Sequence, residues 1–301
     1  MNLHRLDLVS LSLFNLVARS GSISKGAELA HLAVGAASKR ITDLEAAVGA
    51  PLLERHSRGV TLTVAGQALQ RHAQRILNDV DRLAAELSDY AAGIVGVVRL
   101  WANTSAITQF LPADIAAFMT ANPGIRIELE EENSSDVVLA VLDGRADFGI
   151  FAERTPTLGL HVMAYREDRL VLIVPRGHPL AQRRSLRFVE AADYEIVSLS
   201  QGTSLAQRLQ AEAHALGRSL KLRTWMRSFD AMCQMVAAGL GVGVLPRDAI
   251  QSHVRGMPLR QIELQDDWAR RRLLLGLRDP DALPRHVRVL IDHLCSAPAA
   301  R

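Results

Sequence analysis

Ser38, Lys39, Arg40 and Thr42 stand within five positions of one another. Their side chains are the donor types that hold phosphates and read base edges. Such donors need a rigid element that fits a groove. Residues 23–42, ISKGAELAHLAVGAASKRIT, supply one: a short helix, a tight break, and a second helix. Ala27, Leu29 and Ala30 are expected to form the buried face of the first helix, and Leu32 and Ala33 the break. Ala36, Ala37, Ile41 and Leu44 are expected to form an inward stripe on the second. That leaves Ser38, Lys39, Arg40 and Thr42 pointing out. Small packed residues allow two helices to cross closely, as a helix-turn-helix requires. The segment alone is equally compatible with an ordinary helical pair bearing a solvated basic face.

Residues 49–91 favour the DNA-binding reading. Gly49 and Pro51 stop the helix. Arg55, His56 and Arg58 surround a turn, and Val60 and Leu62 alternate with Thr61 and Thr63. This is a two-stranded wing, with arginines suited to phosphates or a narrow minor groove. Thr63 can cap the next helix. Along it Leu69, Ala73, Ile76, Val80, Leu83, Leu87 and Tyr90 recur at alternating four- and three-residue steps, a seam suited to a partner helix. Residues 1–75 carry nine Lys or Arg against five Asp or Glu, whereas residues 76–91 carry one against four. Duplex DNA attracts the first segment and repels the second.

With these features in place the whole chain resembles the LysR-type transcriptional regulators. The resemblance begins with LDLVSLSLFNLVARSGSISKGAELAHL, continues through ASKRITDLEAAVGAPLLERHSRGVTLTVAG, and persists to the C-terminal part. It implies double-stranded DNA, a small-molecule effector and RNA polymerase as partners. It also implies a homodimer joined through the linker helix and assembled into a homotetramer. The DNA-binding candidates are Ser24, Val34, Gly35, Ser38, Lys39, Arg40, Thr42, Arg55, Arg58 and Thr61. The chain departs from the family where Ala33, Val34 and Gly35 replace its usual Ser-Gln-Pro/Ser run, so these positions offer no side-chain hydrogen bonds. Base readout is then expected to shift to Ser38, Lys39 and Arg40, to contact of Val34 with thymine methyls, and to DNA shape.

From Gly93 strands alternate with helices. Strands are expected at 95–102, 125–132 and 146–152, with helices at 107–123 and 134–144. Residues 160–165 and 169–175 read as two crossing strands. A second unit has strands at 195–200, 220–226 and 242–246, and helices at 204–217 and 230–239. Strands at 259–264 and 271–278 run back to a final helix at 284–295. Such alternation means βαβ units, here two of them joined like a Venus flytrap, which resembles type-2 periplasmic binding proteins. The expected architecture is an α/β multidomain chain. A winged helix-turn-helix spans 6–63, a linker and dimerisation helix 64–91, and a two-lobed effector-binding domain 95–301. Lobe I takes 95–165 and 270–301, and lobe II takes 166–269.

In open α/β sheets the ligand lies beyond the strand C-termini, against helix N-termini. That rule selects Asn103, Thr104 and Ser105, then Asn133 and Ser134, then Phe151. In the other lobe it selects Gln201, Gly202, Thr203, Ser204 and Phe229. Hydroxyls and backbone donors favour a small anion, most simply a carboxylate. Each residue alone is as readily a helix cap; their convergence on one cleft is the argument.

Other signals carry no chemistry. In Gly239, Gly241 and Gly243 the order is helix, glycines, strand, the reverse of a dinucleotide fingerprint. Cys233 lies among apolar neighbours and reads as a packed thiol, His178 as a turn residue. The ten histidines show no metal-ligand spacing, and no catalytic constellation stands out, so neither cofactor nor enzyme activity is expected. No apolar run approaches a membrane span, and the start lacks a signal-peptide pattern, so a cytoplasmic protein is expected. With 301 residues, a net charge of only +3 means that DNA affinity must come from a local basic face. The reading is a ligand-responsive regulator that binds a dyad operator. The competing reading is a small-molecule-binding protein whose N-terminal helices dock another protein.

Overall fold

The computed structural model describes residues 6–57, 59–91 and 96–296; Arg58 and the side chains of Leu87 and Tyr90 lie outside the described residues. Contacts divide the chain into two compact units, Met1–Gly93 with Asp143–Arg145, and Ile94–Leu142 with Ala146–Arg301.

The first unit opens with α1 (Leu8–Ser20), capped by Asp7, whose carboxylate accepts the Ser10 N–H at 2.8 Å. Then come α2 (Ile23–Leu29) and α3 (Val34–Val48). Gly26 sets how closely α2 lies on α1. A Cβ there would stand 2.5 Å from Val17 Cγ2 and 2.8 Å from Val17 Cα. Two expectations fail. Leu29 is exposed rather than buried, because α2 has only two turns and Gly26 and Ala27 fill its inner side. Ala36 also faces out; the stripe of α3 is Ala37, Ile41, Leu44 and Ala47. These pack with Leu13, Phe14, Val17 and Leu52 into one core.

The wing is an antiparallel pair, β1 (Leu53–His56) and β2 (Gly59–Leu62), with Leu53 opposite Leu62. Glu45 on α3 anchors its start by accepting the N–H groups of Leu52 and Leu53 at 2.8 and 3.1 Å. The Val60 N–H donates to the Gly21 carbonyl at 2.9 Å and ties the other strand to α1. The Thr63 hydroxyl accepts the Gly66 N–H at 2.9 Å and so caps α4 (Val64–Ala91). Leu69 and Ala73 join the core of this unit, whereas Ile76, Val80 and Leu83 farther along α4 are exposed.

The second unit has two lobes. The first contains β3 (Gly96–Ala102), α5 (Thr104–Gln109), α6 (Leu111–Ala121), β4 (Ile125–Glu131), α7 (Ser134–Leu142) and β5 (Phe148–Ala152). β3 pairs in parallel with both β4 and β5, as βαβ crossovers require. The helix expected at 107–123 is two helices, broken at Phe110 just before Pro112. The two strands expected at 160–165 and 169–175 are one, β6 (His161–Pro175), which runs from the first lobe into the second. The chain continues through β7 (Ser185–Leu186), α8 (Phe188–Ala191), β8 (Glu195–Leu199) and α9 (Ser204–Ala215). Next are β9 (Lys221–Met226), α10 (Phe229–Ala237), β10 (Gly243–Pro246), α11 (Gln251–Gly256) and β11 (Leu259–Leu264). β12 (Arg270–Leu277) returns antiparallel to β5 and β6, and α12 (Arg285–Ser296) covers the first lobe.

Burial of both sheet faces explains the apolar runs. All five residues of β5 are buried, as are Leu170 to Val174 of β6. Cys233 is fully buried in the second lobe's core, where burial pushes its thiol up to about 12. Gly239, at φ +84, ends α10 in the left-handed conformation of a helix C-terminus. His178 accepts the Leu180 N–H through Nδ1 at 3.2 Å and packs on Tyr194, the structural place expected of it.

Candidate nucleic-acid interface and ligand cleft

Val34, Gly35, Lys39 and Thr42 are exposed on α3, with Ser38 half-buried among them. Ser24 is exposed on α2, Arg55 on β1 and Thr61 on β2. The outward side of α3 therefore carries a hydroxyl, an ammonium and a valine methyl pair. Thr42 spends its hydroxyl proton on the Ser38 carbonyl at 3.1 Å, leaving its lone pairs free to accept. Ala33 occupies the N-cap of α3 in extended backbone and supplies no side-chain cap. The first N–H groups of the helix thus remain open to an external acceptor. Arg40 behaves differently. It flanks the buried stripe and turns back, its Nη1 lying 3.3 Å from Asp7 Oδ2 and 3.1 Å from Ser10 Oγ. Burial, the largest influence, raises the Asp7 pKa, but the Ser10 donors and the Arg40 charge outweigh it and hold the carboxyl below its usual range.

In the second unit, Asn103, Thr104, Ser105, Asn133, Ser134, Thr203, Ser204 and Phe229 line one interlobe cleft, together with Glu132, Leu199 and Leu205. Ser134 is its closure. Its Oγ accepts from Asn103 Nδ2 at 3.1 Å and from the Ala152 N–H at 3.2 Å, and donates to Ser204 Oγ across the gap at 3.5 Å. The cavity is about 20 Å³, room for one water. Several residues of the set also serve as caps: Asn103 takes the Ala106 N–H and Thr203 takes the Ala206 N–H. Gln201 and Gly202 lie exposed beside the cleft, the α-carbon of Gly202 facing the Asn133 amide. Phe151 is not in it. Its ring lies behind β12 against Gly276, where a Cβ would meet Phe151 Cε1 at 2.5 Å. The glycine opens a slot that draws the ring into the core.

A buried ion pair forms the floor of the gap. Arg271 on β12 is the register partner of Asp168 on β6. Its Nε lies 2.9 Å from Asp168 Oδ2, and its Nη2 donates to Ser105 Oγ at 2.6 Å. Both ionic side chains are buried, at 9% and 1% exposure. The pair's traces in the sequence are the Arg270–Arg272 run that opens an otherwise apolar strand and the charged run Arg166–Arg169.

Comparison with known proteins matches this geometry. Residues 8–67 fit the model of the bacterial regulatory helix-turn-helix protein, lysR family, and residues 91–298 fit the LysR substrate binding domain. The chain is 28% identical over 259 residues to the uncharacterized HTH-type transcriptional regulator YbhD of Escherichia coli K12, covering 84% of this chain and 81% of that protein. Full-length CbnR, solved in complex with its target DNA, superposes with a TM-score of 0.66 at 20% identity, over 96% of this chain and 99% of CbnR. The CcmR regulatory domain of Synechocystis PCC6803, solved with 2-PG, superposes with a TM-score of 0.62 at 22% identity, over 68% of this chain and all of that domain. These two likenesses establish the fold. The chain belongs to the LysR family: it is a DNA-binding, ligand-responsive transcription regulator with a C-terminal effector-binding domain, and not an enzyme.

Proposed function

We propose that two copies of this chain, joined along α4, present their α3 helices to successive major-groove segments of a dyad operator. A small anionic effector, most simply a carboxylate, entering the interlobe gap changes that grip. Residues 6–63 hold the DNA, 64–91 join the copies and 95–301 sense the effector. The work is cytoplasmic, with RNA polymerase as the downstream partner and a homotetramer as the assembled form.

One observation carries this reading: Val34, Gly35, Lys39 and Thr42 are exposed along α3, and the helix begins without a side-chain cap. A helix start of that kind suits a phosphate, and Lys39, Ser38 and Val34 suit base edges and a thymine methyl. The exposed run of Ile76, Val80 and Leu83 is apolar surface suited to a twin helix. Two-fold symmetry then asks for half-sites about 34 Å apart. The CcmR domain solved with 2-PG supports a small ligand in this fold. The Ser134–Ser204 contact narrows the hydroxyl cleft, and its parting would widen the way in for a ligand. A coupling of about 1–3 kcal/mol between cleft and operator is enough for a switch.

The test is selection of duplexes from a randomised pool by the full-length protein, followed by footprinting with and without candidate carboxylates. Enrichment of an inverted repeat is expected, with an altered footprint when the effector is present. Retention of the pool without sequence enrichment would overturn the DNA reading, and a footprint indifferent to every anion tried would overturn the effector class.

A further inference from the structure

The hinge side of the interlobe gap carries charge that the hydroxyl cleft does not use. Arg208 lies on α9 one helical turn beyond Ser204. Its side chain is 15% exposed, and Nη2 pairs with Glu212 Oε1 at 3.0 Å. Nε and Nη1 are buried and have no acceptor. The guanidinium carbon stands 5.6 Å from the centre of the Trp268 ring. From the other lobe Arg154, just past β5, lines the same chamber, as do Ser204, Glu153 and Arg271. This chamber is about 40 Å³. It adjoins a cavity of about 620 Å³ that shares Glu153, Arg154, Arg208 and Trp268.

The charges in the chamber do not cancel. Arg271 is committed to Asp168 and Ser105. Glu153 is the acid present, and its carboxylate is held by Arg272 at 3.1 Å, outside the chamber. Arg154 makes no ion pair among the described residues. Burial first, and then the charge of Arg154, depress the Arg208 pKa against the opposing pull of Glu212 and Glu153. Two guanidinium groups from opposite lobes thus share one chamber, and Arg208, although Nη2 is paired with Glu212, keeps two buried donors without an acceptor. Buried N–H groups without acceptors are costly. Donors on separate edges of a guanidinium call for more than one acceptor oxygen, and Arg154, which has no ion pair among the described residues, adds a second positive charge.

We propose that this chamber is an anion subsite, in which a dianionic head bridges Arg208 of one lobe and Arg154 of the other. The head is a phosphoryl group or the paired carboxylates of a dicarboxylate. The inference rests on the interlobe gap being the effector site and adds the charge class and the residues that hold it. A bridging dianion binds the closed gap more tightly than the open one, because only closure brings both arginines onto it. That differential is what allows a ligand to shift a conformational equilibrium.

The test is calorimetric titration of the full-length protein, at constant ionic strength, with inorganic phosphate, malonate and acetate. Saturable binding of a dianion is expected, with acetate at least about tenfold weaker. Preference for phosphate assigns a phosphoryl group, and preference for malonate a dicarboxylate. Arg154→Gln and Arg208→Gln should each weaken the preferred dianion by about tenfold or more, the loss of one charge-assisted contact. The double variant should be less than additive, because both act on one bridge. Arg154 is exposed, so its variant tests the bridge even if Arg208→Gln misfolds. Unchanged affinity in Arg154→Gln overturns the proposal, as does the absence of saturable dianion binding. Loss in Ser134→Ala alone, with both arginine variants intact, also overturns it: the anion then belongs to the hydroxyl cleft, and the interlobe gap remains the effector site.

Discussion

Arg40, on the outer flank of α3, makes an ion pair with Asp7, the residue that caps α1, at 3.3 Å. The pair fastens α3, the proposed recognition helix, to the start of the first helix. A residue expected to read bases thus doubles as a clamp on the angle between two helices. Arg40→Ala and Asp7→Ala should each lower the melting temperature slightly, and the double variant should show a coupling of about 0.2–1 kcal/mol, the range for exposed pairs. Thermal denaturation of all four proteins measures it. If Arg40→Ala leaves stability untouched but cuts operator affinity, the side chain is free for DNA.

The same pair predicts a pH effect. The Asp7 carboxyl is held below its ordinary pKa of 3.8. A depressed carboxyl contributes stability that is complete above the unfolded value and is lost as pH falls through the folded value. Wild type should therefore lose stability below about pH 4 more steeply than Asp7→Asn. Melting curves across the acid range, from neutral to well below that point, check this, and parallel curves would remove Asp7 from the acid response.

Lys39 is exposed on α3 and makes no ion pair among the described residues. If it meets a phosphate, Lys39→Ala should weaken binding to all duplexes alike and reduce the slope of log affinity against log salt by about 0.9. Loss confined to one operator base pair would instead make it a base contact.

Leu83 is 57% exposed on α4. If α4 joins two copies as proposed, Leu83→Asp should dissociate them, because a charge in an apolar seam must be desolvated without a partner. Sedimentation velocity reads the result, and an unchanged oligomer would place the interface elsewhere.

Asp168 and Arg271 are buried together at the floor of the gap. Asp168→Asn leaves a buried guanidinium unbalanced and should cost about 3–5 kcal/mol. Chemical denaturation measures it. A loss under about 1 kcal/mol would show that water reaches the pair.

Periodicity made most of this fold readable. The wing follows from the alternation at Val60 and Leu62, the cap at Thr63 from its type, and the βαβ order from runs such as those of β3 and β5. The cleft hydroxyls followed from the position of helix starts beyond strand ends. What stayed hidden depends on contacts between residues far apart in the chain. Nothing near Arg40 in the sequence says that Asp7 will reach it. Phe151 reads as a cleft residue because it stands next to the end of β5, but the slot that takes its ring is made by Gly276 on β12. Arg154 and Arg208 come from different lobes, and only the crossing of β6 and β12 brings them to one chamber. The break at Phe110 and the fusion of two expected strands into β6 are boundary errors of the kind local pattern allows.

β6 is one unbroken ribbon of fifteen residues. Up to Arg169 it is bonded to β12, and from Leu170 to β10 and β11. Its two halves are thus gripped by different neighbours, and the changeover between Arg169 and Leu170 is where twist can accumulate. Because the ribbon is held on both sides of that point, any rotation of one lobe against the other would have to twist β6 itself.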